Sequence, residues 1–100
     1  MSSAKDTHVP LALGEELNIY TASAVHQQVR EAVAAGTDLA LDLGAVSDID
    51  SAGVQQLLLL ERECRAAGHA LAVTAASDPV REVLGLLHLE RLLPATAAQA

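Results

Sequence analysis

The densest chemistry in this 100-residue chain lies in the run Asp48-Ile49-Asp50-Ser51-Ala52-Gly53. Carboxylates, a hydroxyl and a glycine stand together just before a segment with helical spacing. Two uses suit that grouping. A serine that precedes a helix commonly accepts a hydrogen bond from a first-turn amide, a cap worth roughly 1 kcal/mol. Alternatively, Ser51 accepts a phosphoryl group. A phosphate there would meet the unpaired amides and the positive end of the helix dipole. It would also add about −1.5 to −2 charges beside Asp48 and Asp50. Amide donation keeps such a phosphoserine compatible with the fold, while crowding among the carboxylates alters the outward face of the loop. From these residues alone, capping is the simpler role.

The remaining reactive residues point away from catalysis. His8, His26, His69 and His88 share no metal-ligand spacing, and none pairs with Cys64. Cys64 falls in mid-helix on an apolar arc, where a thiol acts as a small hydrophobe. Gly44 and Gly53 stand alone and form no phosphate-binding loop. A phosphoacceptor receiver domain needs an acid pair after its first strand and a late lysine. Here Leu11-Ala12-Leu13 runs into Gly14, and the only lysine is Lys5. We expect no enzymatic activity, no cofactor and no metal.

The bulk composition narrows the partners. The chain is 51% hydrophobic, almost all of it Ala, Leu and Val, and Tyr20 is the single aromatic residue. That composition suits an aliphatic core between helices and a sheet. The formal charge is −7 and the basic residues are scattered, so phosphate backbones and anionic membranes would be repelled. One cysteine excludes an internal disulfide. No apolar run nears the ~20 residues that span a bilayer, and no apolar signal core follows Lys5. We expect a cytoplasmic protein that binds other proteins, not nucleic acid or membrane.

The elements that must position Ser51 follow from periodicity. His8–Leu13 reads as a first strand, with Pro10 marking an edge position. Gly14–Asn18 turns the chain. Thr21 to Ala35 has Val25, Val29, Ala32 and Val33 at helical spacing, with Thr21 as cap and Gly36 as stop. Leu39–Leu43 is a near-continuous apolar strand, the pattern of one buried on both faces. In the loop Gly44–Asp50, Val46 and Ile49 should anchor the backbone while Ser47, Asp48 and Asp50 stay wet. Ala52 to Ala67 is the next helix, with Val54, Leu57, Leu58 and Cys64 inward, Leu59 and Leu60 widening that arc, and Gly68 as stop. Ala70–Thr74 is a strand. Asp78-Pro79 signals a helix with Asp78 as cap, carrying the stripe Val80, Val83, Leu84, Leu87. Leu89–Leu93 closes in a strand or turn. The order β-α-β-α-β-α predicts an α/β fold with parallel neighbours and right-handed crossovers.

The run DLGAVSDIDSAGVQQLLLL resembles the signature of STAS domains, the family of bacterial anti-sigma-factor antagonists. GEELNIYTA resembles the family's Gly-Glu-Leu-Asp turn into its first helix, and AASDPVREVLGLLHLERLL its closing segment. The resemblance covers roughly residues 9–93. It implies a small single-domain STAS-like fold over residues 8–94, with a four-stranded mixed sheet, three to four helices, and flexible tails at 1–7 and 95–100. It implies partner switching in bacterial signal transduction and transcription regulation. The unphosphorylated antagonist binds a serine-kinase anti-sigma factor, the kinase phosphorylates Ser51, and a metal-dependent serine/threonine phosphatase reverses this. Asp50 is then the motif neighbour of Ser51, and Gly53 lets the backbone turn closely into the helix. Expected contacts are Asn18, Asp48, Asp50, Ser51, Gly53, Val54, Gln55 and Glu61. Asn18 stands where the family often has Asp, removing a carboxylate that can help partner contact.

Two other uses fit the same resemblance. STAS subunits clamp the ATPase of a bacterial phospholipid-transport system through the equivalent loop, and others accompany chemotaxis and two-component pathways. The Leu-rich second helix also leaves room for a homodimer.

Overall fold

A computed structural model of the chain describes residues 8–94, so the expectation of flexible tails at 1–7 and 95–100 lies outside the described residues. The order is β1 (Val9–Ala12), β2 (Glu16–Leu17), α1 (Ala22–Ala34), β3 (Leu39–Leu43), β4 (Asp48–Ile49), α2 (Ser51–Ala66), β5 (Leu71–Ala76) and α3 (Asp78–Leu86). A 3-10 turn at Glu90–Leu92 follows. The α/β alternation expected from periodicity is present, with element ends shifted by one or two residues.

The sheet differs from the expected four-stranded mixed one. Strands β1, β3 and β5 form a three-stranded sheet in the order β1-β3-β5, and both pairings are parallel. Strands β2 and β4 form a separate two-stranded parallel pair. A helix lies on each connection between neighbours of the larger sheet, so successive strands run the same way. β1 is an edge strand, as Pro10 indicated. Val9 N donates to Asp38 O at 2.8 Å, and Pro10, next along the strand, brings no donor to the open edge.

β3 is covered on one face, not two. Leu39, Leu41 and Leu43 are buried, Ala40 is half-buried and Asp42 is exposed. The apolar run misleads because alanine reads as apolar while tolerating solvent. The leucines join Val25 and Val29 of α1, Val54, Leu57, Leu60 and Cys64 of α2, and Val80 and Leu84 of α3 in one core. On α2 Leu60 and Cys64 are fully buried, and Leu58, expected inside, is half-buried. Leu87 closes no stripe: α3 ends at Leu86 and Leu87 is 48% exposed.

Capping also departs from expectation at each helix. Thr21 precedes α1 without a side-chain cap bond; its hydroxyl instead donates to Glu16 O at 2.8 Å. Ser77, not Asp78, caps α3 by accepting from Val80 N, which places Asp78 and Pro79 inside the first turn. Gly36 and Gly68 stop α1 and α2 at φ +78° and +81°, as their positions indicated.

Candidate functional site

The β2–β4 pair builds the site. Glu16 lies opposite Asp48 and Leu17 opposite Ile49, while Ser47 N and Asp48 N both donate to Glu15 O. Leu17, Val46 and Ile49 are buried beneath. Two loops distant in sequence, 14–21 and 44–53, are thereby stitched side by side at the start of α2. In the sequence Gly14–Asn18 reads as a plain turn, because two-residue strands carry no usable alternation.

Asp50 is the cap of α2. Its Oδ1 accepts from Gly53 N at 3.1 Å, and its extended backbone (φ −126°, ψ −171°) suits that position. Its other oxygen accepts from Ile19 N at 3.1 Å, and Asp50 N donates to Leu17 O at 3.1 Å. Asp50 is half-buried and bridges both loops, where a wet side chain was expected. Ser51 is therefore relieved of capping. It is the first residue of α2, exposed, and its hydroxyl makes no hydrogen bond among the described residues. The Ser51 and Ala52 amides also take no partner there. Asp50→Ala should cost about 1–2 kcal/mol of stability and Ser51→Ala less than about 0.5 kcal/mol in urea titration. A larger loss at Ser51 would reverse the assignment.

Gly53 has a physical role that the motif alone did not disclose. Its φ is not positive, so a special turn conformation is not what requires glycine. A Cβ built at position 53 would overlap the Leu17 carbonyl oxygen and stand 2.7 Å from its carbonyl carbon and its Cβ. The first turn of α2 thus lies directly on the β2 backbone.

Asn18 is only 7% exposed, the buried polar side chain of the core region. Its Oδ1 accepts from Tyr20 N at 2.9 Å and Thr21 N at 3.2 Å, and its Nδ2 donates to Asp48 Oδ2 at 2.8 Å. In this chain the amide does what a carboxylate could not: it donates to the exposed Asp48. Ile19 and Tyr20, part of the GEELNIYTA run but outside the expected contacts, project from this turn at 67% and 91% exposure. Residue types alone could not reveal them, since an isolated apolar dipeptide does not show whether it is covered.

The structure does not gather every expected contact residue. Val54 is 3% exposed and belongs to the core. Gln55 is exposed one turn beyond Ser51. Glu61 lies ten residues along α2 from Ser51, about 15 Å at helical rise. It pairs with Arg91 at 2.9 Å and Arg65 at 3.7 Å, tying α2 to the closing 3-10 turn. Between α1 and α2 a groove of about 440 Å³ is lined by His26, Gln55, Gln56, Leu58, Leu59 and Arg62. Gln56 Oε1 is buried there without a hydrogen bond among the described residues.

Among the described residues no three His, Cys, Asp or Glu side chains cluster to hold a metal ion. Cys64 is 1% exposed, and burial pushes its thiol pKa up, with the Asp38 and Glu63 carboxylates adding to the effect. No helix among them is long and apolar enough to cross a membrane.

An α/β domain with an exposed serine at a helix start, braced by two stitched loops, has the architecture of a STAS domain. The family model described as "Mlab, STAS domain" matches residues 1–94, and the chain belongs to this family. Its fold is similar to that of a candidate anti-sigma factor antagonist from Thermotoga maritima, with a TM-score of 0.72 and 24% identity. The match covers 89% of this chain and 78% of that one.

Proposed function

We propose that this protein is a non-catalytic cytoplasmic switch that docks a serine-kinase partner of the anti-sigma type through the Ser51 loop and is released by phosphorylation of Ser51. The observation that carries this reading is the division of labour at the helix start. Asp50 caps α2, which leaves the Ser51 hydroxyl exposed and without structural work. Loss of that hydroxyl's freedom costs the fold nothing, so a phosphate can be added and removed without unfolding the domain. The Ser51 and Ala52 amides favour it, and the helix dipole adds to this. At a covered interface the same dianion must be desolvated, and it faces the terminal phosphate of the nucleotide that a kinase brings to Ser51. Both effects oppose rebinding, and ~1.4 kcal/mol is already tenfold in affinity.

Asp48, Asp50, Ser51 and Gln55 form the outward surface in this reading. Asn18, Gly53 and Val54 act by holding it in place, and Glu61 marks its far limit. A serine/threonine phosphatase completes the cycle.

A second reading is favoured by the description of the matched family, which names an Mla-type STAS domain. In it the same loop and the α1–α2 groove clamp the ATPase of a phospholipid-transport system, and Ser51 serves as a contact without being modified.

Intact mass of the protein isolated from its own cells separates the two, with Ser51→Ala as control. An added phosphate that is absent from the control is expected for the switch, together with at least tenfold weaker partner binding by Ser51→Asp. A single unmodified mass across growth conditions, with Ser51→Asp binding as wild type does, would overturn the switch in favour of the clamp.

A further inference from the structure

The turn that carries Ile19 and Tyr20 is hydrogen-bonded along its backbone and bare in its side chains. Ile19 N is held by Asp50 Oδ2 and Tyr20 N by Asn18 Oδ1, while the two side chains stand 67% and 91% exposed. The flanking Leu17 and Asn18 are 0% and 7% exposed, so the tip does not lack anchoring. A turn that merely connects elements is better served by small polar residues. Large apolar side chains on a pre-ordered backbone lose little further freedom on binding, which is what an interface anchor requires. Tyrosine is enriched among residues that dominate interface energy.

The surroundings indicate what covers it. Glu15, Glu16 and Asp48 are exposed in the segments hydrogen-bonded to this turn, and Asp50 touches it directly. The ion pairs among the described residues involve Glu61 and Asp38, so none neutralises these four acids. A second copy of this chain, bearing the same acids, would be repelled. We propose that Ile19 and Tyr20 are the apolar anchor of the docking surface, and that they seat in an apolar pocket rimmed by Arg or Lys on a protein partner. The proposal rests on the reading that the Ser51 loop faces that partner.

The probe is the protein that the full chain captures from an extract of its own cells, purified and titrated at known concentration. Tyr20→Ala should melt as wild type does and bind at least tenfold more weakly, while Tyr20→Phe stays within about threefold. Glu15→Gln with Glu16→Gln should slow association and flatten its salt dependence. Leu86→Ala, which removes an apolar side chain 74% exposed elsewhere, should change nothing. Tyr20→Ala binding within twofold of wild type would overturn the anchor, as would an equal loss from Leu86→Ala or the absence of any captured binder. Ser51→Asp is run beside them. Release by Ser51→Asp with intact binding by Tyr20→Ala keeps the switch and removes the anchor, and the converse keeps the anchor and removes the switch.

Discussion

Gly53→Ala is expected to lower the melting temperature by roughly 10–25 °C, the largest effect of any single methyl group in this domain. The added Cβ would overlap the carbonyl oxygen of Leu17, and that carbonyl is not free to move. It accepts from Asp50 N, and Leu17 itself is fully buried and paired opposite Ile49. Relief therefore requires α2 to lift off β2. Doing so would stretch the bonds that Asp50 makes across to Leu17 O and Ile19 N. Overpacking of this kind costs about 3 kcal/mol, and 1 kcal/mol moves the midpoint of a domain this size by about 4–8 °C. Gly53→Val should be worse, losing partner binding with the fold. Thermal melts followed by far-UV circular dichroism decide the matter. A Gly53→Ala midpoint within about 2 °C of wild type would mean that α2 does not rest on the Leu17 backbone.

Asn18→Asp should cost about 2 kcal/mol in urea titration, although it changes one atom type in one side chain. The new carboxylate keeps the Oδ1 that accepts from Tyr20 N and Thr21 N. What it loses is the donor 2.8 Å from Asp48 Oδ2, replaced by a second anion at the same place. A hydrogen bond to a charged group is forfeited, and two like charges repel where it stood. Because part of this loss is electrostatic, molar NaCl should recover some of it, the Debye length there being about 3 Å. Asn18→Ala should lose a similar amount with little recovery in salt. Equal stability of Asn18→Asp and wild type would show that the Asn18–Asp48 hydrogen bond contributes nothing. An amide at position 18 thus has a local physical account: its partner in this chain is itself a carboxylate.

Most of the framework is legible in the sequence because its causes are local. The spacing of Val25 and Val29, of Val54, Leu57 and Cys64, and of Val80 and Leu84 assigns three helices and their buried faces. Leu39, Leu41 and Leu43 mark the central strand, and Pro10 marks the edge of the sheet. Alternation of strands and helices dictates parallel pairing, and the Asp-Ser-x-Gly run marks the start of α2 as the place of interest.

Only the tertiary structure decides what each residue does there. Ser51 and Asp50 are equally good caps by type; the approach of Ile19 N, 31 residues away in sequence, holds Asp50 in that role and leaves Ser51 exposed. Gly53 reads as a turn residue until the Leu17 carbonyl is found against it. Asn18 reads as a missing carboxylate until Asp48 is found 2.8 Å from its amide. Ile19 and Tyr20 have no assigned face in the sequence, and the structure leaves them exposed beside the β2–β4 pair. Each of these depends on the meeting of loops 14–21 and 44–53. Periodicity reports which side of an element faces the core, whereas the approach of two loops is set by the packing of the whole domain beneath them.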